Sequence, residues 1–218
     1  MIDFHTHTIL SDGELIPSEL VRRALVRGYR GIALTDHVDG SNVEELVPAI
    51  ARFADEIRGK VDLEVIPGAE ITHVPPGMIA DLVARARGLG ARFVIVHGET
   101  LAEPVAPGTN EAALKAGADM LSHPGLIGED LAAIAAERGI YLELSARKGH
   151  CLANGHVARV AGKAGAPLLV NTDAHGPGDL IDDAMMLRIA AGAGLDEEEA
   201  RSLCDEAEKL MARLRDGV

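Results

Sequence analysis

Apolar residues along the chain fall into two alternating rhythms. Short runs rich in β-branched residues read as seven strands: Ile2–Phe4, Gly31–Thr35, Glu64–Gly68, Phe93–Val96, Asp119–Leu121, Tyr141–Leu144 and Leu168–Asn171. Between them, longer segments repeat their apolar positions every three or four residues, the period of a helix with one buried face. Pro17 to Arg27 puts Leu20, Val21, Ala24 and Leu25 on one side and opens on Pro-Ser-Glu, a helix start. Val43–Arg58 aligns Val43, Leu46, Val47, Ile50, Phe53 and Ile57 in the same way. Met78–Leu89, Thr109–Ala116, Asp130–Arg138, His156–Ala164 and Asp179–Ala190 follow. Asp196–Arg215 closes the series with Glu early, Lys and Arg late, and a stripe of Leu203, Ala207, Leu210 and Leu214. Strict alternation of strand and helix predicts a parallel sheet with right-handed crossovers.

An open doubly wound sheet and a closed barrel both satisfy that order. The strand ends separate them. In sequence they read HTHTILSDG, TDH, GAEITH, HGET, SHPG, SARKGH and NTDAH, so every strand delivers polar groups at its C-terminal end. An open sheet gathers its ligands at one crevice fed by a few strands. A barrel brings all strand ends to one rim. The pattern predicts an α/β fold closed as a (β/α)7 barrel, one strand short of the usual eight, with residues 1–218 as a single domain.

Composition narrows the function. The chain has 218 residues, 47% of them hydrophobic, which supplies a core. No apolar run approaches the ~20 residues that span a bilayer, and the MIDFHTHTIL start has neither the basic nor the apolar region of a secretory signal. Cys151 and Cys204 alone make neither a disulfide framework nor a zinc ribbon, so the expected setting is a reducing, cytoplasmic one. Lys and Arg total 21 against 34 Asp and Glu, a formal charge of −13 that repels a phosphate backbone. Aromatic residues are 2% of the chain and Trp is absent, so stacking platforms for single strands are scarce. These features argue against a membrane-surface protein and a general nucleic-acid binder. A small anionic substrate stays open, because a bound metal inverts the local field.

Six of nine histidines sit at strand ends: His5, His7, His37, His97, His123 and His175. Asp12, Glu70 and Asp173 occupy corresponding positions. Imidazole and carboxylate together are ligands for Zn, Mn or Fe. His5 and His7 have period-2 spacing, which sends both rings to one side of a strand. Nine candidate ligands exceed one tetrahedral site, so two or three divalent metal ions are expected.

Taken together and in this order, HTHTILSDG, TDH, GAEI, HGE, SHPG and NTDAH resemble the PHP (polymerase and histidinol phosphatase) superfamily over nearly the whole chain, in its small, stand-alone, histidinol-phosphatase-like form. The resemblance implies a distorted TIM-like (β/α)7 barrel, a trinuclear metal site and hydrolysis of phosphate esters. It implies that His5, His7, Glu70 and Asp173 hold a first metal. Glu70, as a bridge, with His97 and His123 would hold a second, and Asp12, His37 and His175 a third. Asp12 stands where other members carry His or Glu.

The reaction expected from this is hydrolysis of a phosphomonoester by metal-activated water, with inorganic phosphate as a product. No GxSxG elbow is present and neither cysteine lies in a catalytic motif, so no side-chain nucleophile is needed. Arg147 and Lys148, after the sixth strand, are candidates to grip the phosphoryl group in catalysis. Asp36, beside His37, would shuttle a proton or orient a ligand. His73, His150 and His156 are further candidate substrate contacts, the last two alternatively capping the next helix. Glu99, Glu103 or Glu143 would meet an amino group if the substrate were histidinol phosphate. The loop 98–110, with Pro104, Pro107 and Gly108, reads equally as a lid or as a rigid connector. Gly125 is expected at positive φ in the Ser122-His123-Pro124-Gly125 turn.

The leading expectation is a phosphomonoesterase on a small phosphorylated metabolite. The competing ones are a phosphodiesterase or exonuclease on nucleotides or short oligonucleotides, and a non-catalytic interaction protein of the RNase P subunit kind. The last would bring degraded ligands and a basic face, and the chain has neither. Apolar helix faces fit packing on the barrel or on a second subunit equally.

Overall fold

In the computed structural model, which describes residues 1–216, every strand pairing is parallel. The strands are β1 (Ile2–Asp3), β2 (Gly31–Leu34), β3 (His37–Val38), β4 (Glu64–Ile71), β5 (Phe93–His97), β6 (Met120–Ser122), β7 (Tyr141–Ser145) and β8 (Leu168–Asn171). The helices are α1 (Pro17–Val26), α2 (Val43–Ile57), α3 (Ile79–Gly88), α4 (Thr109–Ala116), α5 (Glu129–Arg138), α6 (Asn154–Ala164), α7 (Asp183–Gly192) and α8 (Glu197–Asp216). The strands run in the order β1-β2-β4-β5-β6-β7-β8. A parallel bridge between Thr6 and Ala174, and an N–H of Phe4 donating to Asn171 Oδ1 at 2.9 Å, bring the two ends of the sheet together. The sheet is thus a nearly closed barrel of the expected kind. Among the described residues no helix is long and apolar enough to cross a membrane.

One strand more is present than the sequence predicted. β2 pairs with the first half of β4 and β3 with its second half, so the two are one interrupted stave. The break falls at Thr35, whose N–H donates to Thr6 O at 2.9 Å while its Oγ1 accepts from Thr6 N–H at 3.1 Å. β4 also runs on to Ile71, which places Glu70 inside a paired strand rather than after one. α7 begins later than predicted. Asp182 accepts from Met185 N–H at 2.8 Å and caps it, while Asp179 instead accepts from His175 N–H and Gly176 N–H in a turn.

Strand parity carries the design. Alternate residues of a strand face the same way, and along each stave the inward set changes from apolar to polar. In β5 the series is Phe93, Ile95, His97; in β4 it is Ile66, Gly68, Glu70. In β6 it is Met120, Ser122; in β7 Tyr141, Glu143, Ser145; in β8 Leu169, Asn171 and then Asp173. The lower barrel is therefore an apolar cluster of Phe4, Ile66, Phe93, Ile95, Met120 and Leu169 with their neighbours. Leu210, Met211 and Leu214 of α8 join that cluster and plug the barrel floor. Gly31 allows the approach: a Cβ there would collide with Met211 Cε. The outward parity, with Val94 and Val96 as examples, packs under the surrounding helices.

Candidate metal centre

The deepest group stands directly on the apolar floor. His5 Nε2 lies 3.2 Å from Glu70 Oε1 and 3.5 Å from Asp173 Oδ1. His7 Nε2 lies 3.1 Å from Asp173 Oδ1 and 3.7 Å from Glu70 Oε2. All four side chains are buried. Glu143 fixes this group from below. Its Oε1 accepts from His5 Nδ1 at 2.8 Å and from Asn171 Nδ2 at 3.0 Å, and its Oε2 accepts from His123 N–H at 2.9 Å. That bond places a proton on Nδ1 of His5 and turns Nε2 toward the carboxylates of Glu70 and Asp173.

The charges of this group are coupled. Burial alone lowers the His5 pKa, but Glu143, Glu70 and Asp173 outweigh it and raise it well above the ordinary value. Burial and the neighbouring His37 keep His7 low and neutral. Burial pushes Asp173 up to about 7, against the pull of His5. Burial also works on Glu70, but His5 and His37 hold it well below the carboxylate range.

Nearer the mouth, Asp12 Oδ1 lies 3.2 Å from His175 Nε2 and 3.5 Å from His37 Nε2. His37 Nδ1 is 2.8 Å from Glu70 Oε2 and 2.6 Å from Thr72 Oγ1. The His7 ring sits between levels, its centroid 4.2 Å from His37 and 4.1 Å from His175. Burial lowers the His37 pKa, but Asp12 and Glu70 raise it to about 10. Burial likewise raises Asp12, and bonding to His175 and His37 overrides it, so Asp12 stays far below its ordinary value.

The second set adjoins the first through Glu70. His97 and His123 are adjacent, with ring centroids 4.4 Å apart, and Glu70 Oε1 lies between the groups, 3.2 Å from His5 Nε2 and 3.9 Å from His123 Nε2. Ser122 Oγ also donates to that oxygen at 2.6 Å. His150 and Glu103 are further neighbours of His97 and His123. The His150 ring stacks on His123 at 4.1 Å, and Glu103 Oε2 lies 3.1 Å from His97 Nε2 and 3.0 Å from His73 Nε2. The bond to His97, against partial burial, brings the Glu103 pKa down to about 2.

The donor set fits divalent metal ions. Buried polar atoms ordinarily have hydrogen-bond partners. Here His5 Nε2, both nitrogens of His7, Glu70 Oε2, His97 Nδ1 and His123 Nδ1 are buried without a hydrogen bond. For His5, His7 and Glu70 the short contacts above bring these atoms together without the alignment of hydrogen bonds. Convergent imidazole nitrogens and carboxylate oxygens left in this state are what Zn, Mn or Fe would satisfy.

Local backbone strain supports the arrangement. His73, His123 and Asp173 all have positive φ, at 53°, 27° and 52°, and all lie just past strand ends. Such positions cost about 1–3 kcal/mol each and persist where a site needs them. Gly125 has φ 61° as expected, and it is also packed so closely on Glu99 O that a Cβ would collide.

The other candidates divide. Arg147 and His73 line the open cavity of about 210 Å³ above the centre. Nη1 of Arg147 donates to Asp173 O at 3.1 Å. Lys148 is exposed and does not line that cavity, because the turn after Arg147 points it outward. His156 is also outside: its Nε2 donates to Ile127 O at 2.7 Å, tying α6 to the loop after β6. Asp36 is buried and accepts from the N–H and hydroxyl of both Thr8 and Ser11, so it holds the loop that carries His7 and Asp12. Of the three acidic candidates, Glu99 is consumed by the N–H groups of Gly108 and Asn110, and Glu143 by His5 and His123. Only Glu103 reaches the cavity. Sequence reasoning missed the bracing role of Glu143, although its inward parity two residues above Tyr141 was a usable signal.

Family models identify the chain independently of this geometry: the PHP domain matches residues 3–122. The chain belongs to the PHP domain family. An uncharacterized protein of Methanocaldococcus jannaschii is 45% identical over 215 residues, 97% of this chain and 99% of that one. Ribonuclease P protein component 3 of Methanosarcina mazei is 29% identical, covering 99% of this chain and 90% of its own length. A 3',5'-nucleoside bisphosphate phosphatase of Chromobacterium violaceum is 32% identical over 105 residues, 41% of this chain and 37% of that protein. Among solved structures, a chain of archaeal ribonuclease P with mature tRNA superposes with TM-score 0.74 at 18% identity, covering 97% and 90% of the two chains. Histidinol phosphate phosphatase from Lactococcus lactis does so with TM-score 0.60 at 17% identity, covering 94% and 93%. These likenesses place the PHP fold on this chain.

Proposed function

We propose that the protein is a metal-dependent phosphomonoesterase acting on a small metabolite, with histidinol phosphate as the first substrate to test. The observation that carries this reading is the set of buried, unpaired imidazole and carboxylate atoms beneath a small open cavity. His5, His7, Glu70 and Asp173 would hold one metal, Asp12, His37 and His175 another, and His97 and His123, with Glu70 as a bridge, a third. When bound, such ions acidify water and neutralise phosphoryl oxygens. The chain's own groups do the rest. Arg147, half-buried at the cavity wall, orients the phosphoryl group through its guanidinium fork. Glu143 keeps His5 in one tautomer, and Asp36 keeps the His7–Asp12 loop in place. A non-catalytic role would leave the buried unpaired donors as a cost with nothing offsetting it.

A second reading, phosphate removal from a nucleotide, is favoured by the nucleoside bisphosphate phosphatase relative. The decisive experiment is phosphate release by Mn-loaded protein from histidinol phosphate, other monoesters and nucleoside bisphosphates. Selective turnover of histidinol phosphate supports the first reading, and selective turnover of the nucleotides supports the second. Metal-loaded protein inert on the whole panel overturns both.

A further inference from the structure

We infer that His150 and Glu103 are ligands of the metal that His97 and His123 hold, so that the loop 98–110 is closed onto the site through that metal. This rests on the metal-enzyme reading above. His97 and His123, with a Glu70 oxygen 3.9 Å from His123 Nε2, supply three donors, which leaves room for further ligands on a divalent ion. One nitrogen each of His97, His123 and His150 lie within 4.8 Å of one another, which lets all three reach one ion. Glu103 forms a neighbouring group with His97 and His73, and its two oxygens reach two of the three rings, with Oε2 at 3.1 Å from His97 Nε2 and Oε1 at 3.5 Å from His150 Nε2.

The surroundings hold both residues in this pose. His150 is buried, and its Nδ1 is hydrogen-bonded to Thr100 Oγ1 at 2.7 Å, so its other nitrogen faces the cavity. A metal-binding histidine commonly has its outer nitrogen fixed in this way. The loop is pinned at its base: Glu99 Oε1 accepts from Gly108 N–H and Asn110 N–H, both at 3.0 Å, and Asn110 Nδ2 donates to Pro124 O at 2.9 Å. Its middle, Leu101–Glu103, is exposed and reaches the site through Glu103. His73 meets the Glu103 carboxylate from outside at 3.0 Å and positions it. The loop is therefore a rigid-based strap whose free middle is tied down by a carboxylate–metal bond.

The test compares wild type, Glu103→Gln and His150→Asn, each stripped with chelator and titrated with Zn or Mn. Bound metal is counted by mass spectrometry, and amide hydrogen exchange is followed across residues 98–106. Circular dichroism checks folding. Both variants should bind one metal equivalent at least about tenfold more weakly while retaining the others. Metal should slow exchange of the loop in wild type and leave it fast in Glu103→Gln. Unchanged metal affinities in both variants, or loop exchange indifferent to metal in wild type, overturn the inference. Neither readout uses turnover, so an inert protein with Glu103-dependent metal binding would sink the phosphatase reading and leave this one standing. A wild type that binds no metal would sink both.

Discussion

The two halves of the barrel are built from the same strands on opposite principles. In the lower half, the inward residues are apolar, close-packed and plugged by Leu210, Met211 and Leu214. In the upper half, further along the same staves, the inward residues are polar, and His5, His7, Glu70, His97 and His123 among them carry unpaired atoms. The lower half supplies stability, and the upper half consumes some of it in buried charge and positive-φ backbone. Stability and chemistry are thereby separated by a few ångströms along the strand axis, and substitutions in the two halves should have opposite signatures.

The sharpest break of that contrast is Glu70→Ala. It should abolish turnover and lower metal content while leaving the far-ultraviolet spectrum folded. Turnover at the wild-type rate with full metal content would show that the buried group is not the reactive centre. The mirror experiment is Leu210→Ala, expected to cost about 2–5 kcal/mol in urea unfolding by opening the barrel floor. Its metal stoichiometry should be unchanged. A loss of metal with no loss of stability would contradict the division.

Asp3 lies at the seam between β1 and β8, where Thr172 and the His5 N–H donate to it. Burial pushes its pKa from the ordinary 3.8 up to about 6, against those hydrogen bonds. The folded protein therefore holds this proton more tightly than the unfolded chain. The contribution is present below about pH 4 and lost as pH rises through 6, amounting to about 3 kcal/mol. Metal-free Asp3→Asn should show a correspondingly flatter stability profile between pH 4 and 7 than wild type, and parallel profiles would rule the effect out. Smaller again is Arg147→Ala. Loss of a charge-assisted contact worth about 1.5–3 kcal/mol should raise KM by roughly ten- to a hundredfold, with metal content intact. Unchanged KM for every ester turned over would remove Arg147 from substrate binding.

Much of the upper half was visible in the chain because each motif sits immediately after an apolar run. Period-2 spacing put His5 and His7 on one side of a strand, and the ordered motifs, through their resemblance to the PHP family, brought in Glu70, Asp173 and His175. His150, Glu103 and Glu143 were harder. His150 and Glu103 stand on loops whose path depends on Thr100, Asn110 and Pro124, contacts between segments distant in sequence. Lys148 and His156 looked equivalent to Arg147 and His150, and only the turn after β7 and the start of α6 turned them away. The interruption between β2 and β3 was hidden for a similar reason: Thr35 leaves the sheet to bond Thr6, which no local pattern records.

The chain by itself determined a parallel barrel with polar strand ends, since the periods of 2 and 3.6 are local and repeat at every unit. It also determined the chemical type of the centre, because nine ligand-type side chains follow strands in order. The tertiary structure alone decided how those ligands are shared among sites, which carboxylate braces which imidazole, and which loop reaches over the centre. Those are contacts between staves, and their partners are chosen by barrel closure and loop packing rather than by neighbours along the chain.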